Sequence, residues 1–425
     1  MLSNSFLWTT GVLSISWTIY GWEQYLAYRQ HVRLADPSLG VPSLLQDVVS
    51  EEDHTKAKAY GRDKSSLEFV TNLFNQLVTT FTIVYGLLPM MWAFSRDVLH
   101  TVGLVGEREI MQSIIFVMIY LVVSSLTAIP FSWYRNFVIE ERYGFNKLTV
   151  SLWLSDKLKE MLVMAAISAP FVAGILGVIK WGGDNFFYYV FIFVLIFQII
   201  MILLFPTVIA PLFNTFNPLA EGPLKSRIAE LAKRVDFPLT KVFVIDGSKR
   251  TSHSNAYFTG LFSDKRIVLF DTLLDNQTTE EILAILAHEL GHWKLSHVLR
   301  TLIVSQTHLF VLFYTFSHFI HSSPMYEAFG FHGEHPILIG LSLFAYVYQP
   351  VDSVMAFAMN YMSRVHEFQA DAYAKKLGYA EDLKRALIKM NQKSYGNLVP
   401  DSWYSSYHYS HPPLVERLTA IGKTE

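Results

Sequence analysis

The sequence predicts an all-α polytopic membrane protein of seven transmembrane helices carrying one small cytosolic α+β unit. Three observations predict it. Of the 425 residues, 52% are hydrophobic and only 16% are charged, where a soluble domain carries about 25% charged residues. Mean hydropathy is +0.29 and 15% of residues are aromatic, a ring content suited to helices that meet membrane interfaces. Seven apolar stretches reach or approach the ~20 residues needed to cross a bilayer, near 6–27, 73–94, 110–130, 161–179, 186–212, 298–320 and 337–360. The same composition excludes a disordered chain, and a net charge of -2 gives no bulk electrostatic case for nucleic acid. With no Cys, disulfides, thiol nucleophiles, Cys-based metal sites and lipidation of the chain's own Cys are impossible. Any metal must be held by His and carboxylates.

The first stretch is the shortest, since Leu7 to Tyr20 is brief and Glu23 interrupts its end. No basic residue precedes it, so the positive region of a cleaved signal peptide is missing and it reads as a retained span. The seven stretches assign the intervening segments alternately to two sides. The N-terminus and one set of connections hold only Arg96, Arg108 and Lys180; segments 28–72, 131–160, 213–297 and 361–425 hold 30 of the 34 Lys and Arg, and Arg300 begins the sixth stretch. Basic residues concentrate on the cytosolic side. The N-terminus is therefore expected to face the lumen or outside, with both large polar segments in the cytosol. The chain divides into 1–212 (five spans and their loops), 213–297 (a cytosolic unit), 298–360 (spans six and seven) and 361–425 (a cytosolic helical segment).

Within 213–297, Pro223 suits the first position of a helix reaching Val235. Lys241–Asp246 and Lys265–Asp271 read as strands, Ser254–Phe258 as a third, and Thr259-Gly260 as a turn. Thr278 or Thr279 caps a following helix that has Glu280 and Glu281 in its first turn. With no Gly-Pro break ahead of the sixth stretch, that helix is expected to run on into the membrane.

On it lies His288-Glu289-Leu290-Gly291-His292. Two imidazoles at i and i+4 project from one helical face and can share one Zn²⁺, with Glu289 beside them to take a proton from water. Ile282, Ile285 and Leu286 form a separate apolar face. A catalytic zinc wants a third protein ligand and an open position. A metzincin would need Gly at 295 and His at 298; Leu295 and Val298 stand there. His297 falls roughly 140° around a continuous helix from His292 and is expected to point away. The other cytosolic segment holds His366-Glu367-Phe368-Gln369-Ala370-Asp371. There Glu367 and Asp371 share a face, one as a ligand and the other able to accept a ligating imidazole's N–H. His366 is the alternative ligand.

At this point the chain resembles the type I CAAX prenyl proteases, integral-membrane zinc metalloproteases also called farnesylated-protein-converting enzymes. The shared residues are His288–Leu295, Glu367–Asp371, Ser252–Phe258 and Tyr409-Ser410-His411-Pro412-Pro413, extended by Asp236–Val242 and Lys265–Asp271. The likeness covers nearly the whole chain. One departure is the short Asp275-Asn276-Gln277 connection, which lacks a long charged insertion found in some animal members. The resemblance implies His288, His292 and Glu367 as ligands of one zinc per chain and Glu289 as general base. It further implies Asn255 as a substrate-backbone contact at a strand edge, His411 as transition-state stabiliser, and Arg417 as a ligand for substrate carboxylate or backbone.

The expected protein is thus a zinc endopeptidase of the endoplasmic reticulum and inner nuclear membrane. By resemblance it removes the last three residues of prenylated CAAX proteins, with a second upstream cut in some substrates, and its helices form a barrel around a chamber. A prenyl chain favours such an apolar setting by about 0.8 kcal/mol per buried CH₂. The alternatives are a membrane-protein quality-control zinc protease and, from another class, a seven-span receptor or transporter with an incidental His-Glu-Leu-Gly-His.

Overall fold

The computed structural model describes residues 4–101, 103, 108–260 and 264–423. Each predicted apolar stretch lies mostly in helix. The first is part of α1 (Asn4–Ala35); the second is shared by α2 (Glu51–Val84) and α3 (Leu87–Thr101), which bend by 72° where Gly86 adopts φ 63°. The third is α4 (Glu109–Tyr134), and the fourth and fifth are α5 (Val150–Gly182) and α6 (Phe186–Leu204). Residues Val150–Leu212 form one near-continuous helical run of 63 residues, which fully extended would be about 95 Å, some three bilayer cores. It folds back at Gly183, φ 55°, and α5 packs against α6.

By length and apolarity four helical segments qualify as membrane spans, or five with the bent pair counted as one; α1 is not among them. In the most apolar windows of Glu109–Glu140 and Val150–Leu212 only 6% of residues are buried inside the protein. A water-soluble fold does not leave such windows bare, so the chain is a predominantly helical membrane protein with a small sheet.

The polar unit opens with β1 (Phe216–Pro218), α7 (Pro223–Arg234), β2 (Leu239–Ile245), β3 (Ala256–Thr259), β4 (Lys265–Phe270), α8 (Asp271–Asn276) and α9 (Thr279–Lys294). The sheet order is β1-β2-β4-β3. Only β2 and β4 run parallel, with Val242 opposite Ile267; β3 is antiparallel to β4, with Ala256 opposite Leu269. β3 is thereby an edge strand, its observed start two residues later than the predicted Ser254. α9 carries the core: Ile282, Leu283, Leu286 and Leu290 are buried with Ile228 and Leu231 of α7 and Ile267 and Leu269 of β4. A capping box starts it, Thr278 Oγ1 accepting from Glu281 N and Glu281 Oε2 from Thr278 N.

The expectation that α9 runs unbroken into the membrane is wrong. It stops at Lys294, Ser296 turns left-handed at φ 57°, and α10 (His297–Ser317) sets off afresh. No Gly or Pro announces the break; tertiary contacts impose it. The Trp293 ring meets Phe237 edge-on at 5.1 Å, and Lys294 Nζ donates to Val235 O at 2.9 Å.

After α11 (Ser323–Ala328), α12 (Ile337–Lys376) runs for 40 residues, about 60 Å and twice the thickness of a bilayer core. Its second half therefore leaves the membrane and lies against α9. α13 (Ala380–Lys393), α14 (Ser402–His408) and α15 (Leu414–Gly422) complete the fold. Buried Glu281 of α9 takes an ion pair from Lys389 of α13 at 2.7 Å.

Candidate metal centre

The meeting of α9 and α12 depends on Gly291. A Cβ there would lie 3.1 Å from Ala370 Cα and 3.2 Å from Tyr373 Cβ, tighter than most Cβ contacts. Gly291→Ala is expected to push the helices apart by a few tenths of an ångström and cost about 1–3 kcal/mol. A lower Tm together with easier loss of metal to a chelator checks this; unchanged metal retention would refute it.

That close approach brings three side chains together. His288 Nε2 and His292 Nε2 stand 3.1 Å apart, with Glu367 Oε2 3.5 Å from the first and Oε1 3.3 Å from the second. One ligand atom from each residue lies within 4.8 Å of the other two. Glu367 is buried, and its Oε2 has no hydrogen-bond partner. Two nitrogens facing each other beside a buried carboxylate fit a cation, and the donor set suits a divalent metal of borderline softness. Burial pushes the Glu367 carboxyl up, but bonds from His288 and His292 outweigh it and hold the group well below the usual carboxylate range. His366, the other residue considered as third ligand, does not join this group; its ring stacks on His297 at 4.0 Å.

Behind the ligands lies a buried charged layer. Asp371 Oδ1 accepts from His288 Nδ1 at 2.9 Å, which fixes the imidazole tautomer and leaves Nε2 facing the cluster. Arg417 on α15 forks onto both oxygens of Asp371, Nε to Oδ2 at 2.8 Å and Nη2 to Oδ1 at 2.7 Å. Its Nη1 lies 3.3 Å from Glu367 Oε2. Arg417 is only 9% exposed, so its donors are taken up inside the site, a placement its resemblance-based role as a substrate ligand did not anticipate.

His297 is also not where the helical wheel sends it. Because the chain turns at Ser296, His297 is 2% exposed and its Nδ1 lies 3.0 Å from His292 Nδ1, while its Nε2 lies 2.9 Å from Gln369 Oε1. If His292 keeps Nε2 toward the ligand cluster, its Nδ1–H donates to His297, whose Nε2–H donates to Gln369. Sequence reasoning missed this pair for lack of the break between α9 and α10.

Glu289 is half-buried and, among the described residues, accepts no hydrogen bond. Burial raises its carboxyl above the ordinary value, against the opposing effect of His288 and His292. His411 Nε2 lies 3.4 Å from Glu367 Oε1, and the side chain is 66% exposed. Asn255 is exposed at the head of the edge strand β3. Its side-chain oxygen accepts from Ala256 N at 2.8 Å, and its carbonyl accepts from Phe270 N at 3.1 Å.

Comparisons with known proteins agree with one another. Residues 30–215 match a family model described as CAAX prenyl protease N-terminal, five membrane helices, and residues 218–425 match the model of peptidase family M48. The chain is 42% identical to a CAAX prenyl protease 1 homolog of Mus musculus, over 96% of this chain and 94% of the other. It is 41% identical to CAAX prenyl protease 1 of Saccharomyces cerevisiae, over 97% and 95%. The crystal structure of S. mikatae Ste24p superposes with a TM-score of 0.94 at 41% identity, covering 98% of this chain and 99% of that one.

Proposed function

The chain belongs to the CAAX prenyl protease family of M48 peptidases, and we propose that it is a zinc endopeptidase that removes the last three residues of prenylated CAAX proteins. The observation that carries the reading is the convergence of His288, His292 and Glu367 on one point. A two-His, one-carboxylate set is a zinc-peptidase set. The proposed crossings are seven: α1, α2 with α3, α4, α5, α6, α10 and α12, with the N-terminus lumenal. The site then faces cytosol and nucleoplasm in the endoplasmic reticulum and inner nuclear membrane, where prenylated substrates and lipid are its partners. Nucleic acid has no part in this reading.

Zinc held by these residues would supply a Lewis acid that polarises a peptide carbonyl and makes water a nucleophile at neutral pH. Glu289 takes the proton released from water and returns it to the leaving nitrogen, and its burial-raised pKa suits both transfers. His411 donates to the oxygen on which negative charge develops. The open edge of β3, headed by Asn255, holds the substrate backbone as an added strand. Asp371 and Arg417 keep His288 and Glu367 in position.

The test compares one CAAX peptide with and without its prenyl group, using zinc-loaded protein in lipid and mass spectrometry of the products. Release of a tripeptide from the prenylated form, abolished by chelation, is expected. Equal turnover of the unprenylated form favours a broader membrane-protein protease.

A further inference from the structure

Outside the metal centre a cavity of about 570 Å³ opens between α1, α2 and the segments around α14, a size in the range of small-ligand sites. Lys64, Glu68, Tyr60, His253, Tyr395 and Tyr409 line it. Two of its lining residues stand on the chain segments that carry residues assigned to the site. His253 stands two residues before Asn255 and Tyr409 two before His411, at most about 7 Å of chain in each case. Arg364 on α12, one turn before Glu367, fixes one of these segments by donating to Tyr409 O at 2.7 Å.

Two features mark the cavity as built to receive something. Tyr395 is held at φ 48°, a left-handed conformation that a bulky residue adopts only where its surroundings over-determine it. Its ring packs against Phe145 at 5.2 Å and Tyr60 at 6.4 Å. The second feature is charge. Lys64 and Glu68 are one turn apart on α2, yet they do not pair, and among the described residues no opposite charge lies within 4.0 Å of either. Lys64 instead sits 4.9 Å over the Tyr60 ring. The nearby Glu140 carboxylate is engaged by Tyr60 Oη at 2.6 Å and His253 Nε2 at 3.7 Å, which leaves Lys64 and Glu68 as a cation and an anion without direct partners, a pair suited to a ligand bearing both charges.

The proposed hydrolysis creates such a ligand. The three residues leaving a CAAX substrate carry a carboxylate from the start, and cleavage of the C–N bond with addition of water across it gives them an ammonium at neutral pH. We propose that this cavity is the binding site of that C-terminal tripeptide, with Lys64 taking the carboxylate and Glu68 the ammonium that cleavage creates. The assignment rests on the peptidase reading above. An extended tripeptide spans about 10 Å. Before cleavage the nitrogen is a neutral amide, so Lys64 acts on substrate and product whereas Glu68 acts on product alone.

The experiment uses full-length, zinc-loaded protein and an S-farnesyl peptide ending in two aliphatic residues and Met, made as the free acid and as the C-terminal amide. For the wild type the amide is expected to raise KM about 10- to 100-fold, the loss of a charge-assisted bond. Lys64→Met raises KM of the acid by a similar factor and leaves that of the amide unchanged, and Lys64→Arg restores most of the loss. Glu68→Gln leaves KM unchanged but weakens inhibition by the free tripeptide about tenfold, with no effect on the N-acetyl tripeptide. Zinc content and Tm of the variants stay at wild-type values. Equal KM for acid and amide in the wild type, or equal damage to both in Lys64→Met, overturns the role of Lys64; tripeptide inhibition unaltered in Glu68→Gln overturns that of Glu68. No cleavage of either peptide by the wild type overturns the peptidase reading itself and this assignment with it.

Discussion

Glu289→Gln is expected to lower kcat by about 10²- to 10⁴-fold, the range for loss of a positioned acid–base group, while zinc stays bound at one per chain. The expectation follows from what Glu289 touches. It sits beside two of the converging ligands in sequence, yet none of the described side chains hydrogen-bonds its carboxylate, so an isosteric amide strands no partner and opens no cavity. What Gln cannot do is accept a proton from water and return it to nitrogen. The proposed ligands His288, His292 and Glu367 are untouched, so metal analysis and Tm should match the wild type, and KM for the prenylated peptide should move little. Activity within tenfold of the wild type, at full zinc content, would remove Glu289 from the mechanism.

Much of this fold is legible in the sequence because membrane helices and metal ligands leave local signals. Apolar stretches read out as helices because lipid forces every backbone N–H and C=O to be satisfied within the segment. His288 and His292 read out because a helix puts i and i+4 on one face. Glu367 and Asp371 stood out by the same periodicity, and the clustering of basic residues in 213–297 and 361–425 pointed to their pairing with α9. The failures share a cause. Ser296 ends α9 through contacts of Trp293 and Lys294 with Val235 and Phe237, partners nearly 60 positions earlier that no local pattern encodes. His297 then turns inward, and the wheel that placed it outside does not apply. The fork of Arg417 onto Asp371 was not legible either, because the two lie 46 residues apart in sequence. Edge strand β3 begins late because Asn255 spends its side chain on Ala256 N.

Arg417 gives the most discriminating substitution in the molecule, because two roles predict opposite results. Were it a substrate ligand, Arg417→Met would raise KM and leave the folded protein intact. The structure predicts otherwise. Arg417 donates to both oxygens of Asp371 and stands 3.3 Å from Glu367, and all three side chains are nearly removed from solvent. Removing the guanidinium leaves two buried carboxylates facing each other without their shared cation, a loss of about 3–5 kcal/mol when one partner of a buried pair is deleted. Asp371 then no longer holds His288 Nδ1–H in place, and zinc affinity should fall about 10- to 100-fold, as for other losses of a partner behind a ligand. Arg417→Lys should fall between, since an ammonium supplies the charge but not the two-pronged grip. The measurements are Tm and zinc retention against a graded chelator, both independent of turnover. A stable Arg417→Met protein that keeps its zinc and loses only substrate affinity would return Arg417 to the substrate.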